Sequence, residues 1–487
     1  MNLLSNHLLS CMIVVPFIGL AATAIGREGQ ARAIALSTTL LNLVLASLLW
    51  VRFDPTVAGM QFVERAQWMP TFDVEYAVGV DGLSLLLILL TTLLSPLCVV
   101  CSWTSVRTGI KAFMSIVLLI QGAMIVVFSA LDLFLFFMLW EVTMIPMYFL
   151  ITLWGGPKRN AAGLKFVLYS LTGSLCMLVG ILAVYLAGGH TFNIATLAQQ
   201  PFSAELQSWV FVAFFAAFAI KLPMVPFHSW LPDAHSEAPT AGSVILAGIM
   251  LKMGGYGFMR ICIPMLPDAA AAWAPYIQWL SIVGILYGGM LALAQTDLKK
   301  LVAYSSISHM GFVTLGIFVL NAGGAEGAIL QMFSHGIVTA ALFVVVGMLY
   351  ERTHSRAIAD YGGLHKSMPR FAAFLCLFSV AGFGLPTTAN FIGEFLVLVG
   401  ASEQSFILVA LALGGVVLGA GYMLWMLQRV TLGVARTKVA TLLPDLSLRE
   451  LVMLVPLAML AFGIGLYPQP LVDLAEHGIA SIAGTAR

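Results

Sequence analysis

Two acids and two lysines stand where an apolar chain has least use for charge. Glu141 lies in LFLFFMLWEVTMIPMYF, Lys221 in FFAAFAIKLPMVPFHSW, Lys252 in LAGIMLKMGGYGF and Glu394 in NFIGEFLVL. A lone ionised side chain near the centre of a bilayer costs at least roughly 2.5 to 3.5 kcal/mol, so each is a functional candidate by default. Histidines add a second layer. His309 and His335 occur in AYSSISHMGF and LQMFSHGIV, beside Ser305, Ser306, Ser308 and Ser334, and His228 follows a pair of prolines. An imidazole titrates near neutral pH and passes a proton in either direction. Out of water, an amine releases its proton more readily and a carboxylic acid keeps one more readily. Acid, amine and imidazole in alternation therefore suit proton movement. Glu141 and Lys221 would form a switch, in which separation frees the lysine's proton and approach holds it.

Other chemistry finds less support. His228 and His235 flank Asp233 and Glu237 in HSWLPDAHSEAPT, a run with the residue types of a metal site. The histidines are seven apart with Pro232 between them and no cysteine is close, so no metal is expected. Nucleophile-elbow, phosphate-loop and dinucleotide motifs are missing from the sequence. Cys98 and Cys101 form a C-x-x-C with no second pair or nearby histidine, and are read as small packing residues. No cofactor is expected in this chain.

The elements that position these residues must be membrane helices. Of 487 residues 60% are hydrophobic and 9% charged, with a mean hydropathy of +0.99. Soluble domains carry about 25% charged residues. The 23 Lys and Arg balance 22 Asp and Glu, so a net charge of +1 favours no nucleic acid partner. Apolar segments of about 20 residues, enough to cross roughly 30 Å of hydrocarbon as helix, recur from end to end. Their expected spans are 3–24, 33–50, 81–103, 112–130, 132–154, 163–187, 207–228, 241–263, 276–295, 301–320, 327–350, 370–400, 405–433 and 450–468. The fold class is thus an all-α polytopic membrane protein of about 14 spans. The first segment has no Lys or Arg ahead of it, unlike a cleavable signal peptide, and is read as a retained helix. LLSC, ending at Cys11, lacks the flanks of a lipidation site.

Basic residues test this count, because they collect in cytoplasmic loops. With the N-terminus outside, the inner loops hold Arg27, Arg32, Arg107, Lys111, Lys158, Arg159, Lys165, Lys299, Lys300, Arg352, Arg356, Lys366, Arg370, Arg429, Arg436, Lys438 and Arg449, which is 17 of the 23. Arg52, Arg65, Arg260 and Arg487 fall outside, and Lys221 and Lys252 fall in no loop. One spurious or missing helix would scramble this sorting, so it supports an even number of spans with both termini outside. Proline and glycine interrupt the seventh span at AIKLPMVPF and the twelfth at VAGFGLPTTANFIGEF. The breaks are five spans apart. Five is odd, so a repeated five-helix unit is inverted, and paired broken helices mark an ion path. The expected organisation is 1–110 for spans 1 to 3, 111–263 for the first repeat, 276–433 for the second and 450–487 for the last span and tail.

KLPMVPFHSWLPDAHSEAPTAGSVILAGIMLKMGGYGFMR, LAQTDLKKLVAYSSISHMGF and LPTTANFIGEF strongly resemble the antiporter-like subunits of proton-pumping NADH:quinone oxidoreductase, respiratory complex I, and most of all subunit M. The likeness runs from about Asp81 to Arg436. It implies fourteen helices in two inverted five-helix repeats. By position, Glu141 matches the family's acid in the fifth helix, Lys221 its lysine partner in the broken seventh, Lys252 the central lysine of the eighth and Glu394 the terminal acid of the twelfth. His309 and His335 match histidines that bridge the central axis, and His228 the loop histidine beside the lysine helix. Glu394 separates the chain from the related subunits L and N, which usually carry lysine there. The twelfth-helix break reads LPTTANF where relatives commonly have glycines.

The resemblance implies a proton-translocating subunit of the bacterial inner membrane, driven by quinone reduction in partner subunits that hold NADH, FMN, iron–sulfur clusters and quinone. Protons would approach Lys221 under the control of Glu141, continue through Lys252, His309 and His335 to Glu394, and exit outward. The implied partners are the other membrane subunits, including L and N, the redox arm behind them, and lipid. A subunit of a Mrp-type cation/proton antiporter or of a membrane-bound hydrogenase shares these features, and a standalone membrane enzyme using His228 or His235 is the alternative of a different class. Copurification separates them: in mild detergent the chain is expected to come out with iron–sulfur and flavin subunits, whereas isolation with antiporter subunits alone would overturn the expectation.

Overall fold

A computed structural model of the chain describes residues 7–57, 59–434 and 443–485, with side chains up to 480. Arg436, Lys438 and Arg487 lie outside the described residues. Helices dominate: α1 (Leu8–Ile25), α2 (Ala31–Arg52), α3 (Gly82–Cys101), α4 (Ile110–Val127), α5 (Leu133–Trp154), α6 (Arg159–Ala187), α7 (Ala204–Lys221), α8 (Trp230–Glu237), α9 (Thr240–Met265), α10 (Pro267–Leu293), α11 (Leu298–Phe318), α12 (Ala322–Thr353), α13 (Pro369–Gly382), α14 (Ala389–Ser402), α15 (Phe406–Val430), α16 (Leu448–Leu466) and α17 (Gln469–Thr485). Among the described residues, 13 helices are long and apolar enough to cross a membrane. The twelfth expected span is divided between the shorter α13 and α14, which brings the spans to the number expected. The tenth span begins three residues early, at Leu298, and the ninth nine residues early, at Pro267.

Helix starts follow local chemistry. Asp81, Asp132 and Asp297 cap α3, α5 and α11 by accepting backbone amides of the first turn. Such a side chain satisfies donors that lipid cannot. The most apolar stretches of α9 and α12 are wholly inside the protein, against a third of those of α2, α15 and α16. A helix that is apolar all round and buried all round is a core element. Lys252 and His335 thus sit on helices with no lipid-facing side.

Two elements had no counterpart in the hydropathy reading. A β-hairpin pairs β1 (Gln61–Met69) with antiparallel β2 (Val74–Val80) between α2 and α3. Its Glu64 Oε1 accepts the amides of Leu9 and Ser10 at the start of α1, at 3.0 and 3.1 Å. At the far end of the chain, α17 packs on α3 and α12. His477 Nε2 donates to the Val57 carbonyl at 2.6 Å while its Nδ1 accepts the Gly82 amide at 3.3 Å. Those two bonds define a neutral imidazole of one tautomer. The described N-terminal end, the hairpin and the C-terminal helix therefore share one face, as an even number of spans requires.

One irregular hydrogen-bond pattern occurs twice. Leu133 N donates to Phe192 O and Ile194 N to Leu131 O; in the second half Leu298 N donates to Arg356 O and Ile358 N to Thr296 O. Each pattern ties the capped start of a helix to the segment after the next helix. The two broken spans match likewise: Met224 N reaches back five residues to Ala219 O, and Leu385 N to Val380 O. Equivalent irregularities five spans apart favour the two-unit organisation.

Two basic residues depart from their expected loops. Lys299 is buried in the first turn of α11 with its amine on the Ala238 carbonyl at 2.5 Å, and Arg260 is buried inside α9 rather than standing on the outer surface. In both cases a nearby acceptor replaces water.

Gly82 makes the docking of α17 testable, since an added Cβ would lie 1.7 Å from the Leu474 carbonyl oxygen. Gly82→Ala is expected to cost about 1 to 3 kcal/mol through overpacking. The purified protein should melt earlier, and an unchanged midpoint would contradict this packing.

Candidate functional site

The two proline-interrupted spans supply the site's irregular backbone. Pro223 lacks an amide hydrogen and its ring would strike the carbonyl four residues back, so α7 ends at Lys221. The break frees carbonyls that lipid cannot satisfy. Trp230, at the start of α8, returns its indole Nε1–H to Ile220 O at 3.0 Å in the buried interior. Leu222 N and Met224 N close on Phe218 O and Ala219 O, both at 2.8 Å.

Lys221 is 2% exposed and its Nζ makes no hydrogen bond. The ammonium instead lies over two aromatic faces, 5.3 Å from the Trp140 ring and 5.8 Å from that of Phe166. Ring faces attract a cation through their quadrupole. Trp140 precedes Glu141 on α5, yet the buried Glu141 Oε1 has no hydrogen-bond partner either. Glu141 and Lys221 are electrostatic neighbours that are not joined by a hydrogen bond.

Lys252 stands between two π-helical stretches of α9, Leu246–Met250 and Phe258–Cys262. The wider turn directs Leu251 N to Leu246 O at 3.1 Å, and the Ala247 carbonyl accepts a hydrogen bond from the Lys252 amine. Wide turns of this kind recur at functional positions. The same Nζ lies 2.9 Å from His335 Nδ1 on α12. The His335 and His309 rings are 5.7 Å apart between centroids. His309 Nδ1 is 2.7 Å from Glu394 Oε1, which also accepts from Gln331 Nε2 at 3.0 Å. The Tyr422 hydroxyl is 3.4 Å from His309 Nε2. The order from the centre is therefore Lys252, His335, His309, Glu394, whereas the sequence had named His309 first.

The second break fits this end of the chain. KLP at Lys221–Pro223 is matched by GLP at Gly384–Pro386. Gly384 has φ +73°, and an added Cβ would lie 3.0 Å from Glu394 Oε2. Where the first unit places a lysine side chain, the second leaves room for a carboxylate from the next helix. LPTTANF keeps the break with this one glycine in place.

The polar side chains of the HSWLPDAHSEAPT run contact separate neighbours. Asp233 accepts from Lys165 Nζ at 2.8 Å, Glu237 from the Lys158 amide at 2.8 Å, and His228 packs edge-on to Tyr287 with ring centroids 5.5 Å apart. Among the described residues no three His, Cys, Asp or Glu side chains stand together as ligands. His228 is near the α7 break and outside the chain of contacts. His235, read only as a possible ligand, is fully buried, stacks on Phe343 at 4.6 Å and leaves both ring nitrogens without a partner. Lys299, Lys252 and His335 are ionisable neighbours of this ring, which places it beside the central chain. The spacing gave no signal for this, because His228 precedes α8 and only His235 lies on it.

The set consists of two hydrogen-bonded pairs, Lys252 with His335 and His309 with Glu394, whose imidazoles face each other at 5.7 Å between centroids with His335 Nε2 unpartnered, an arrangement of groups that can each bind and release a proton. Trp230→Phe is expected to leave Ile220 O unpaired at about 1 to 3 kcal/mol, destabilising the span that holds Lys221. Thermal unfolding checks this against Trp209→Phe, an exposed tryptophan on α7. Equal midpoints would remove the proposed support.

Comparison with known proteins agrees with this geometry. The sequence family described as "NADH:quinone oxidoreductase/Mrp antiporter, TM" matches residues 130–419. NADH-quinone oxidoreductase subunit M of Rhodobacter capsulatus is 42% identical over 98% of this chain and 96% of its own length. NADH-ubiquinone oxidoreductase chain 4 of Chondrus crispus is 43% identical over 97% of each. A chain of respiratory complex I from Thermus thermophilus with bound NADH superposes with a TM-score of 0.88 at 32% identity, covering 98% of this chain and 100% of that one. A chain of the Mrp complex from a Dietzia species reaches 0.87 at 20% identity over 100% of both, a likeness of fold.

Proposed function

The chain belongs to the NADH:quinone oxidoreductase/Mrp antiporter membrane-subunit family, and on that premise we propose that it is the subunit M-type proton translocator of NADH:quinone oxidoreductase. It is a multi-pass membrane protein and one subunit of a multi-subunit enzyme complex. The observation that carries the reading is the buried run from Lys252 through His335 and His309 to Glu394, on helices enclosed by the rest of the chain. Buried ionisable groups of this density cost too much to be packing residues.

Protons approach the amine of Lys221 through the α7 break, where backbone and His228 admit water, and Glu141 modulates their residence there. With the carboxylate withdrawn, the Lys221 proton passes toward Lys252, with His235 beside the route. It then moves over the two histidines to Glu394 and leaves at the second break. The units 111–263 and 276–433 act as two inverted half-channels joined at Lys252, flanked by 1–110 and 450–487. The chain sits in the bacterial inner membrane with both termini on the periplasmic side, as the basic loops suggest. Its neighbours are the antiporter-like subunits L and N and, through them, the redox arm. NADH, FMN, iron–sulfur clusters and quinone belong to those partners. A Mrp antiporter or hydrogenase subunit has weaker support, since the likeness to the Mrp chain is one of fold.

In proteoliposomes of the whole complex, Glu141→Gln and Lys221→Ala are each expected to lower proton pumping and coupled quinone reduction by about tenfold or more, the scale of losing a positioned proton-transfer group. Wild-type rates in both would sink the assignment.

A further inference from the structure

Arg260 is the basic residue that hydropathy placed outside and the fold placed inside. It occupies the second π-helical stretch of α9 and is 5% exposed. Asp81, fully buried, accepts a hydrogen bond from its Nη2. The guanidinium lies over the Tyr256 ring, 5.8 Å from its centroid, and the Tyr256 hydroxyl hydrogen-bonds to it. Tyr256 Oη is also 3.4 Å from Ser84 Oγ on α3. Lys252, Tyr256 and Arg260 follow one another at four-residue intervals along α9. Residues so spaced share a helix face. A polar line thus leads from the central lysine toward the hairpin face.

That line meets a cavity. A space of about 150 Å³ is lined by Arg260 and Pro264 of α9, by Met60, Val63 and Arg65 of the hairpin segment, and by Ile194. It has room for several water molecules. Arg65 on its rim is exposed and 3.8 Å from Glu75, so charged side chains of the hairpin stand at the mouth of the space that Arg260 lines. Lys252 needs contact with only one exit if translocation is to be coupled, and Glu394 lies at the other end of the run. A second aqueous path over Tyr256 would short-circuit it.

We propose that Arg260, held by Asp81 and Tyr256, is an electrostatic plug that shuts the central lysine off from the hairpin-face cavity and so prevents proton backflow. A guanidinium suits this role because it does not lose its proton and cannot relay one. A fixed positive charge in a narrow polar passage rejects hydronium and metal cations. Asp81 offsets only part of the field of Arg260, because Asp81 Oδ1 also accepts the Ser84 amide at the positive end of α3, which carries roughly half a positive charge. The facing titratable and charged groups are Asp81, Tyr256, Arg65 and Glu75. The proposal rests on Lys252 being a proton carrier.

The test measures passive leak, with no NADH present, so its outcome is separate from that of the Lys221 and Glu141 variants. Proteoliposomes of the whole complex receive a potassium diffusion potential and proton entry is followed with a pH dye. The double variant Asp81→Asn/Arg260→Gln leaves no unpaired buried charge, and Arg260→Lys keeps the cation. The double variant should leak severalfold faster than wild type, and Arg260→Lys, which keeps a cation but one able to release its proton, at a rate between the two. Wild-type leak in the double variant, or equal leak in both, overturns the proposal. Failure of the double variant to assemble, with or without Arg260→Lys, makes the pair a brace and overturns it as well.

Discussion

Taking a charge or an unpaired backbone group out of water costs several kcal/mol in hydrocarbon, and this cost governs the molecule from its helix caps to its centre. A chain with so few charged residues still buries Lys221, Lys252, Lys299, Arg260, Asp81 and Glu394. Each is tolerated through a particular neighbour. Lys299 and Lys252 use backbone carbonyls, Arg260 uses Asp81, Glu394 uses His309 and Gln331, and Lys221 uses two aromatic faces. Aromatic faces hold a cation less tightly than a carboxylate would. Lys221 is accordingly the amine with most freedom to change partners, and it sits where the helix is broken.

The same cost explains why both irregular spans are repaired in one way. A proline ends the helix, the freed amides turn back to earlier carbonyls, and a side chain from the following segment fills the gap. In the first unit that side chain is the Trp230 indole, on the Ile220 carbonyl; in the second it is the Asn390 amide, on the Gly382 carbonyl at 3.4 Å, with the Glu394 carboxylate beside Gly384. One architectural solution thus yields an amine in one half and an acid in the other. The two breaks therefore differ chemically at matching places, with Lys221 at one and Glu394 beside the other.

Wide helical turns serve the central position. A π turn in α9 lets the Ala247 carbonyl meet the Lys252 amine and aims the amine at α12. The second π stretch carries Arg260 on the hairpin side of the same helix. A regular helix would separate these functions less cleanly, because each extra residue in a turn rotates everything after it.

Much of this was legible in the residues themselves. Apolar length fixes the number of spans, since roughly 20 residues are needed to cross the hydrocarbon. The placement of Lys and Arg fixes which loops share a face, and KLP and GLP mark the breaks because proline cannot continue a helix. Glu141, Lys221, Lys252, His309, His335 and Glu394 stood out because each contradicts its surroundings. The hairpin and α17 did not, since they are short or amphipathic and gain stability from packing. His235 was legible only as a ligand type, Arg260 as a loop residue and His477 not at all. The order of His335 and His309, the absence of a hydrogen bond between Glu141 and Lys221, and the pairing of Arg260 with a residue far earlier in the chain belong to the tertiary structure alone. Hydropathy and spacing are properties of one segment, whereas a hydrogen bond between helices depends on how two segments pack.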